Sequence, residues 1–147
     1  MLTYAIQKAG YDYDQLDSQG STDFAGFIRA LENFPWAAQL ALWNETQDGP
    51  LPALVLKNEE DQRELWISVL GTELGESFQL NAVSMQEKKG LFGFGKPKMD
   101  RTVTTFNVEG RSKVDRLCEL LCSREYALLD EEVTRLDQLS RDLDEDS

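Results

Sequence analysis

Residues 63–70 read RELWISVL, and the alternation in this stretch decides the fold class. Leu65, Ile67 and Val69 fall on one side of an extended chain, and Glu64, Trp66 and Ser68 on the other, because successive side chains of a strand point to opposite faces. One side is ready for a core and the other carries polar groups and an indole. Working outward, the polar turn NEEDQ (58–62) separates this stretch from LPALVLKN (51–58), and TQDGP (46–50) separates that from WAAQLALWNET (36–46). In the last of these, Leu40 and Leu42 alternate with Gln39, Trp43 and Glu45, so a further strand is expected. Downstream, SFQLNAVSM (77–85) and RTVTTFNVE (101–109) are rich in the β-branched and aromatic residues that strands favour. Short turn-like connections predict an antiparallel meander of about five strands rather than βαβ units.

Helical periodicity brackets these strands. Phe24, Phe27, Ile28 and Leu31 recur at i, i+3, i+4 and i+7, with Ser21 or Thr22 as the expected cap and Pro35 as the stop. Ser112 and Asp115 have capping-box spacing ahead of Val114, Leu117, Cys118 and Leu121. Ser123 is expected to end that helix and cap a last one carrying Leu129, Val133, Leu136 and Leu143. Residues 1–10 fit a helix or a strand, and GYDYDQLDSQGS (10–21) reads as a turn-rich connector. The expected architecture is a single α+β domain over 1–147: an N-terminal helix, the central antiparallel sheet, and two C-terminal helices packed on it. Residues 88–98 form a projecting hairpin tip and 143–147 a frayed acidic tail.

A chain of 147 residues suits one core, and 41% apolar with 10% aromatic residues argues against disorder. The formal charge of −12 repels nucleic acid and anionic membranes, so neither is an expected partner. No apolar run reaches the roughly 18 residues of a membrane span. The opening MLTYAIQKAGYDYD lacks the features of a secretion signal, which leaves a cytoplasmic location. Without histidine, Ser-His-Asp and Cys-His catalysis and the common zinc-hydrolase sites are excluded within this chain. Cys118 and Cys122, four apart in a helical pattern, read as two reduced, buried thiols rather than as a disulfide or a metal site.

Residues 90–97, GLFGFGKP, come close to a phosphate-binding loop. Gly90, Gly95 and Lys96 match it, but Pro97 stands where a hydroxyl must reach magnesium, and a strand-like stretch follows where a helix is needed. The glycines instead suit a long hairpin between strands at about 77–87 and 99–108. Its tip is apolar at Leu91, Phe92 and Phe94, and residues 87–101 hold five basic side chains against two acidic ones. The aromatics either fold back on the sheet or form a binding tip. Asp12, Asp14 and Asp17 fail the calcium-loop pattern at Leu16 and Ser18. Residues 124–147 hold nine acids against three arginines, a solvated charge run over Asp130, Glu131, Glu132 and Asp137 with an i, i+4 pair between Glu131 and Arg135.

No catalytic residue, metal ligand or cofactor site emerges. The candidate partner-binding residues are Trp43, Glu45, Glu64 and Trp66 on the less apolar strand faces, Tyr11, Asp12, Tyr13 and Asp14 in the connector, and Phe92 and Phe94 at the tip. The two tryptophans are either interface anchors or core beneath helices. Size, acidity and missing catalytic groups point to a non-catalytic bacterial binding protein for a basic toxin or effector. The form expected first is an immunity protein that blocks a toxin's active site or substrate groove. An acidic, homodimeric secretion chaperone and a carboxylate-based enzyme are the alternatives.

Overall fold

The computed structural model describes residues 1–70, 77–88 and 98–145. Ten elements follow one another: β1 (Leu2–Gln7), β2 (Asp17–Ser21), α1 (Phe24–Asn33), α2 (Trp36–Thr46), β3 (Ala53–Asn58), β4 (Arg63–Val69), β5 (Ser77–Lys88), β6 (Lys98–Glu109), α3 (Arg111–Cys122) and α4 (Tyr126–Glu145). The strands form one six-stranded sheet in the order β2-β1-β3-β4-β5-β6, and every neighbouring pair is antiparallel. The α+β class, the antiparallel sheet and the two C-terminal helices are therefore as expected; the strand count is six.

Register builds the core. Leu54 and Leu56 lie opposite Ile67 and Leu65, Ile67 and Val69 opposite Leu80 and Phe78, and those opposite Phe106 and Val108. This ladder fills one face of the sheet and is almost wholly buried. Phe27 and Leu31 of α1, Trp36 and Leu40 of α2, Val114, Leu117 and Leu121 of α3, and Leu129, Val133 and Leu136 of α4 all join it in one cluster. Each such side chain stabilises the fold by roughly 1.5–3 kcal/mol through burial. No helix among the described residues is long and apolar enough to cross a membrane.

The stretch 36–46 is a helix, not a strand. Its even–odd alternation is shallow, whereas Trp36, Leu40 and Trp43 recur at i, i+4 and i+7, and Ala37, Ala38 and Ala41 are strong helix formers. Pro35 ends α1 and then stands at the N-cap of α2, where the missing N–H costs nothing. The Trp36 indole N–H donates to the Leu31 carbonyl at 2.8 Å, and its ring meets Phe34 edge-on at 4.5 Å. These contacts fix the sharp turn between the two helices. Leu42, paired with Leu40 in the strand reading, is 51% exposed while Leu40 is buried.

The chain opens on strands and not on the expected N-terminal helix. Of the two alternatives for residues 1–10 the strand is found, as β1 over 2–7, and 17–21 form the edge strand β2, which was expected to be a connector. DSQGS has no β-branched residue, and its pairing with β1 carries an irregularity at Tyr4/Ala5, with Gly20 at φ +87°. The caps also differ. Asp23, not Ser21 or Thr22, caps α1, its carboxylate accepting from the Gly26 N–H at 2.7 Å. Gly110, with φ +96°, stands at the N-cap of α3 and makes the tight entry from β6, so Ser112 lies inside the helix. Asp115 pairs with Arg111 at 3.6 Å instead of closing a capping box. Ser123 is the C-cap of α3, and α4 begins three residues later. Arg135 pairs with Glu132 at 2.8 Å rather than with Glu131.

Helix α4 extends to Glu145, and the last two residues of the expected tail lie outside the described residues. Strands β5 and β6 stay paired out to Lys88 and Lys98. The glycine-rich tip between them, with Phe92 and Phe94, lies outside the described residues. A strand nevertheless follows the glycines, which removes the helix N-terminus that a phosphate loop needs. Cys118 and Cys122 are both free. Burial pushes the Cys118 thiol well up and that of Cys122 to about 11, so neither is a nucleophile near neutral pH.

Candidate aromatic cleft

The four helices contribute their buried apolar side chains to one face of the sheet. The opposite face carries the alternate residues of each strand: Gln7 on β1, Ala53 on β3, Trp66 and Ser68 on β4, and Gln79 and Asn81 on β5. Register sets Trp66 directly across from Asn81, and Ser68 across from Gln79. These residues floor a cleft of about 330 Å³ whose walls are Tyr13, Trp43 and the turn from Gly49 to Leu51. Three of the sequence's candidate residues, Tyr13, Trp43 and Trp66, thus meet at one place. They do so although Trp43 arrives on a helix, not on the neighbouring strand.

Each wall is held by identifiable contacts. Gln7 is only 2% exposed, and its amide N–H groups donate to the carbonyls of Asp12 (3.3 Å), Tyr13 (3.1 Å) and Gln15 (3.4 Å). A single buried side chain therefore folds the connector over the end of β1. The Tyr11 hydroxyl donates to the Asp17 carboxylate, and that bond raises the phenol above its ordinary pKa. The Ala9 N–H donates to the Gln39 side chain at 2.9 Å, tying the connector to α2. Gln47 in the left-handed region ends α2, and its N–H returns to the Trp43 carbonyl at 2.7 Å. Gly49 follows at φ +80°, where an added Cβ would sit 3.4 Å from the Tyr11 carbonyl. The turn and the connector are in close contact there.

Both indole N–H groups are used inside the chain. Trp43 donates to the Gly49 carbonyl at 3.2 Å, and Trp66 to the Glu64 carboxylate at 2.9 Å. What the tryptophans offer a ligand is therefore their ring faces. Both are half-buried, so neither is plain core. Tyr13 is 74% exposed at the mouth. In the sequence Asp12 and Asp14 flank it and Asp48 precedes Gly49; all three are exposed, and none of them lines the cleft itself.

Not every candidate belongs to this site. Glu45 is exposed on α2, two residues beyond Trp43, and does not line the cleft. Glu64 acts from one side by orienting Trp66, with Arg101 4.0 Å away. Tyr11 braces the connector rather than presenting a surface. Among the described residues, no group of three or more acidic, cysteine or histidine side chains is arranged to hold a metal ion. Gln7, Gln79 and Asn81 went unselected in the sequence, although alternation in SFQLNAVSM already set Gln79 and Asn81 opposite Phe78 and Leu80. Only the register reveals that they stand beside Ser68 and Trp66. No protein-family model, curated protein or solved structure matches this chain.

Proposed function

We propose that this chain is a non-catalytic binding protein that receives a basic protein partner at the aromatic cleft, in the specific form of an immunity protein neutralising a bacterial toxin. One observation carries the reading: two half-buried tryptophans and an exposed tyrosine converge on one cleft over the polar side of the sheet, in a chain of charge −12. Aromatic anchors at the centre of a patch supply most of the energy of an interface, and a surrounding charge of one sign steers the oppositely charged partner. A toxin acting on nucleic acid presents the complementary basic groove, and occupying that groove would exclude its substrate.

Among the described residues the cleft lining contains no carboxylate and no lysine, which counts against a carboxylate-based enzyme using it. Its modest volume suits a side chain better than the long extended client of a secretion chaperone. The steering component has its own test. Reversing Asp12, Asp14 and Asp48 to lysine is expected to slow association at least about tenfold at low salt and to flatten its ionic-strength dependence. An association rate and salt slope equal to those of the unaltered chain would contradict it.

A further inference from the structure

Building on that reading, we infer that the cleft is an arginine socket: the anchor that a partner inserts between Trp43 and Trp66 is a guanidinium group. The cleft's own chemistry selects it. With both indole N–H groups committed, the tryptophans present π-faces, and among the described residues neither indole stacks on another ring. Ring faces of this kind attract a flat cation.

The floor supplies the acceptors. Ser68 is only 8% exposed on the cleft floor, yet among the described residues its hydroxyl makes no hydrogen bond. Its cross-strand neighbour Gln79 makes no side-chain hydrogen bond among the described residues either, so the register sets a hydroxyl and an amide on neighbouring positions of the cleft floor. The Asn81 amide oxygen is already taken by the Thr105 hydroxyl, leaving its NH₂ group for other acceptors. Neither Ser68 nor Gln79 is sealed from water: among the described residues the buried side-chain polar atoms without a hydrogen-bond partner are Arg111 Nε and Asp115 Oδ1. Ser68 and Gln79 therefore open to the cleft and can exchange water for a ligand's N–H groups. The chain's charge of −12, with exposed Asp12, Asp14 and Asp48 next in sequence to the cleft residues Tyr13 and Gly49, favours a positive ligand.

Arginine fits better than lysine. A planar guanidinium stacks on an indole with its face while its edge donates several N–H bonds in fixed directions, here to Ser68 Oγ and Gln79 Oε1. An ammonium is a point charge that is more strongly hydrated and cannot stack. A carboxylate ligand is disfavoured on both counts.

The test is a titration of the whole chain with N-acetyl-arginine amide, N-acetyl-lysine amide and the neutral isostere N-acetyl-citrulline amide. It is followed by the indole N–H resonances of Trp43 and Trp66 and by tryptophan fluorescence. The arginine probe is expected to shift both resonances saturably and to bind at least about fivefold tighter than the lysine probe. Citrulline should not saturate, and Ser68→Ala should weaken the arginine probe about tenfold. No saturable shift with arginine, equal response to citrulline, or undiminished binding by Ser68→Ala would each overturn the inference. Failure here is distinguishable from failure of the broader reading: a partner whose binding still depends on Trp66 would leave the cleft as an interface with a different anchor.

Discussion

Replacing Trp66 with alanine is expected to weaken binding of the basic partner by at least about 2 kcal/mol, or roughly 30-fold in Kd. Among the described residues the indole is the one large ring on the sheet floor of the cleft, and Glu64 holds it in place by accepting from its N–H. Truncation removes its ring face and leaves the Glu64 carboxylate without that donor. The fold should persist, because the buried ladder of Leu65, Ile67 and Val69 lies on the other face and is untouched. Calorimetry of the wild-type and variant chains measures the loss, with circular dichroism as the check on folding. Leu42→Ala is the matching control: Leu42 is 51% exposed on α2 and does not line the cleft, so its removal should leave affinity unchanged. Equal affinity for W66A and wild type would remove the cleft from the interface.

The second large effect concerns the fold that presents the cleft. Phe27→Ala is expected to destabilise the chain by about 3–5 kcal/mol, a large share of the roughly 5–15 kcal/mol that holds a domain of this kind folded. Phe27 is 0% exposed and meets Tyr4 of β1 edge-on, with ring centres 6.0 Å apart. Together with Leu31 it seats α1 on the sheet, and α1 leads through Pro35 directly into α2, which carries Trp43. Losing the ring leaves a cavity that the antiparallel sheet on one side and α3 on the other can only partly close. Urea unfolding should show a lower midpoint with an unchanged slope. Phe27→Leu should recover most of the loss, since it restores apolar volume. A cost below about 1 kcal/mol would mean that α1 does not pack where the structure places it.

The strands that form the core were legible because a sheet buried on one face writes its register into alternation. RELWISVL and SFQLNAVSM show it plainly, and their partners Leu54, Leu56, Phe106 and Val108 complete the same ladder. Helices α1, α3 and α4 were legible because their apolar stripes are narrow and regular. Helix α2 was misread because apolar residues surround it almost evenly: Trp36 and Leu40 face the core, Trp43 faces the cleft, and Leu42 faces solvent. Such a pattern leaves periods of 2 and 3.6 nearly balanced, and Ala37, Ala38 and Ala41 are what tip it to helix. Strand β2 was illegible for another reason. An edge strand of Asp, Ser, Gln and Gly owes its extended form to pairing with β1, not to any preference of its own.

The cleft was half legible. Aromatic residues on polar strand faces drew attention to Trp43 and Trp66, and the connector's tyrosines to Tyr13. Their convergence depends on Gln7, a buried amide that gathers three loop carbonyls, and no local pattern marks that role. Ser68 and Gln79 gain their meaning from being neighbours across strands, which only a register can supply.

Hydrogen–deuterium exchange of this chain, alone and bound to the partner it recovers from its native host, tests most directly whether that partner sits at the cleft over the polar side of the sheet. Slowed exchange is expected in residues 11–15 and 47–51, which form the two backbone walls of the cleft, with α3 and α4 unchanged. Protection confined to α3 and α4, with both walls exchanging as fast as in the free chain, would contradict it.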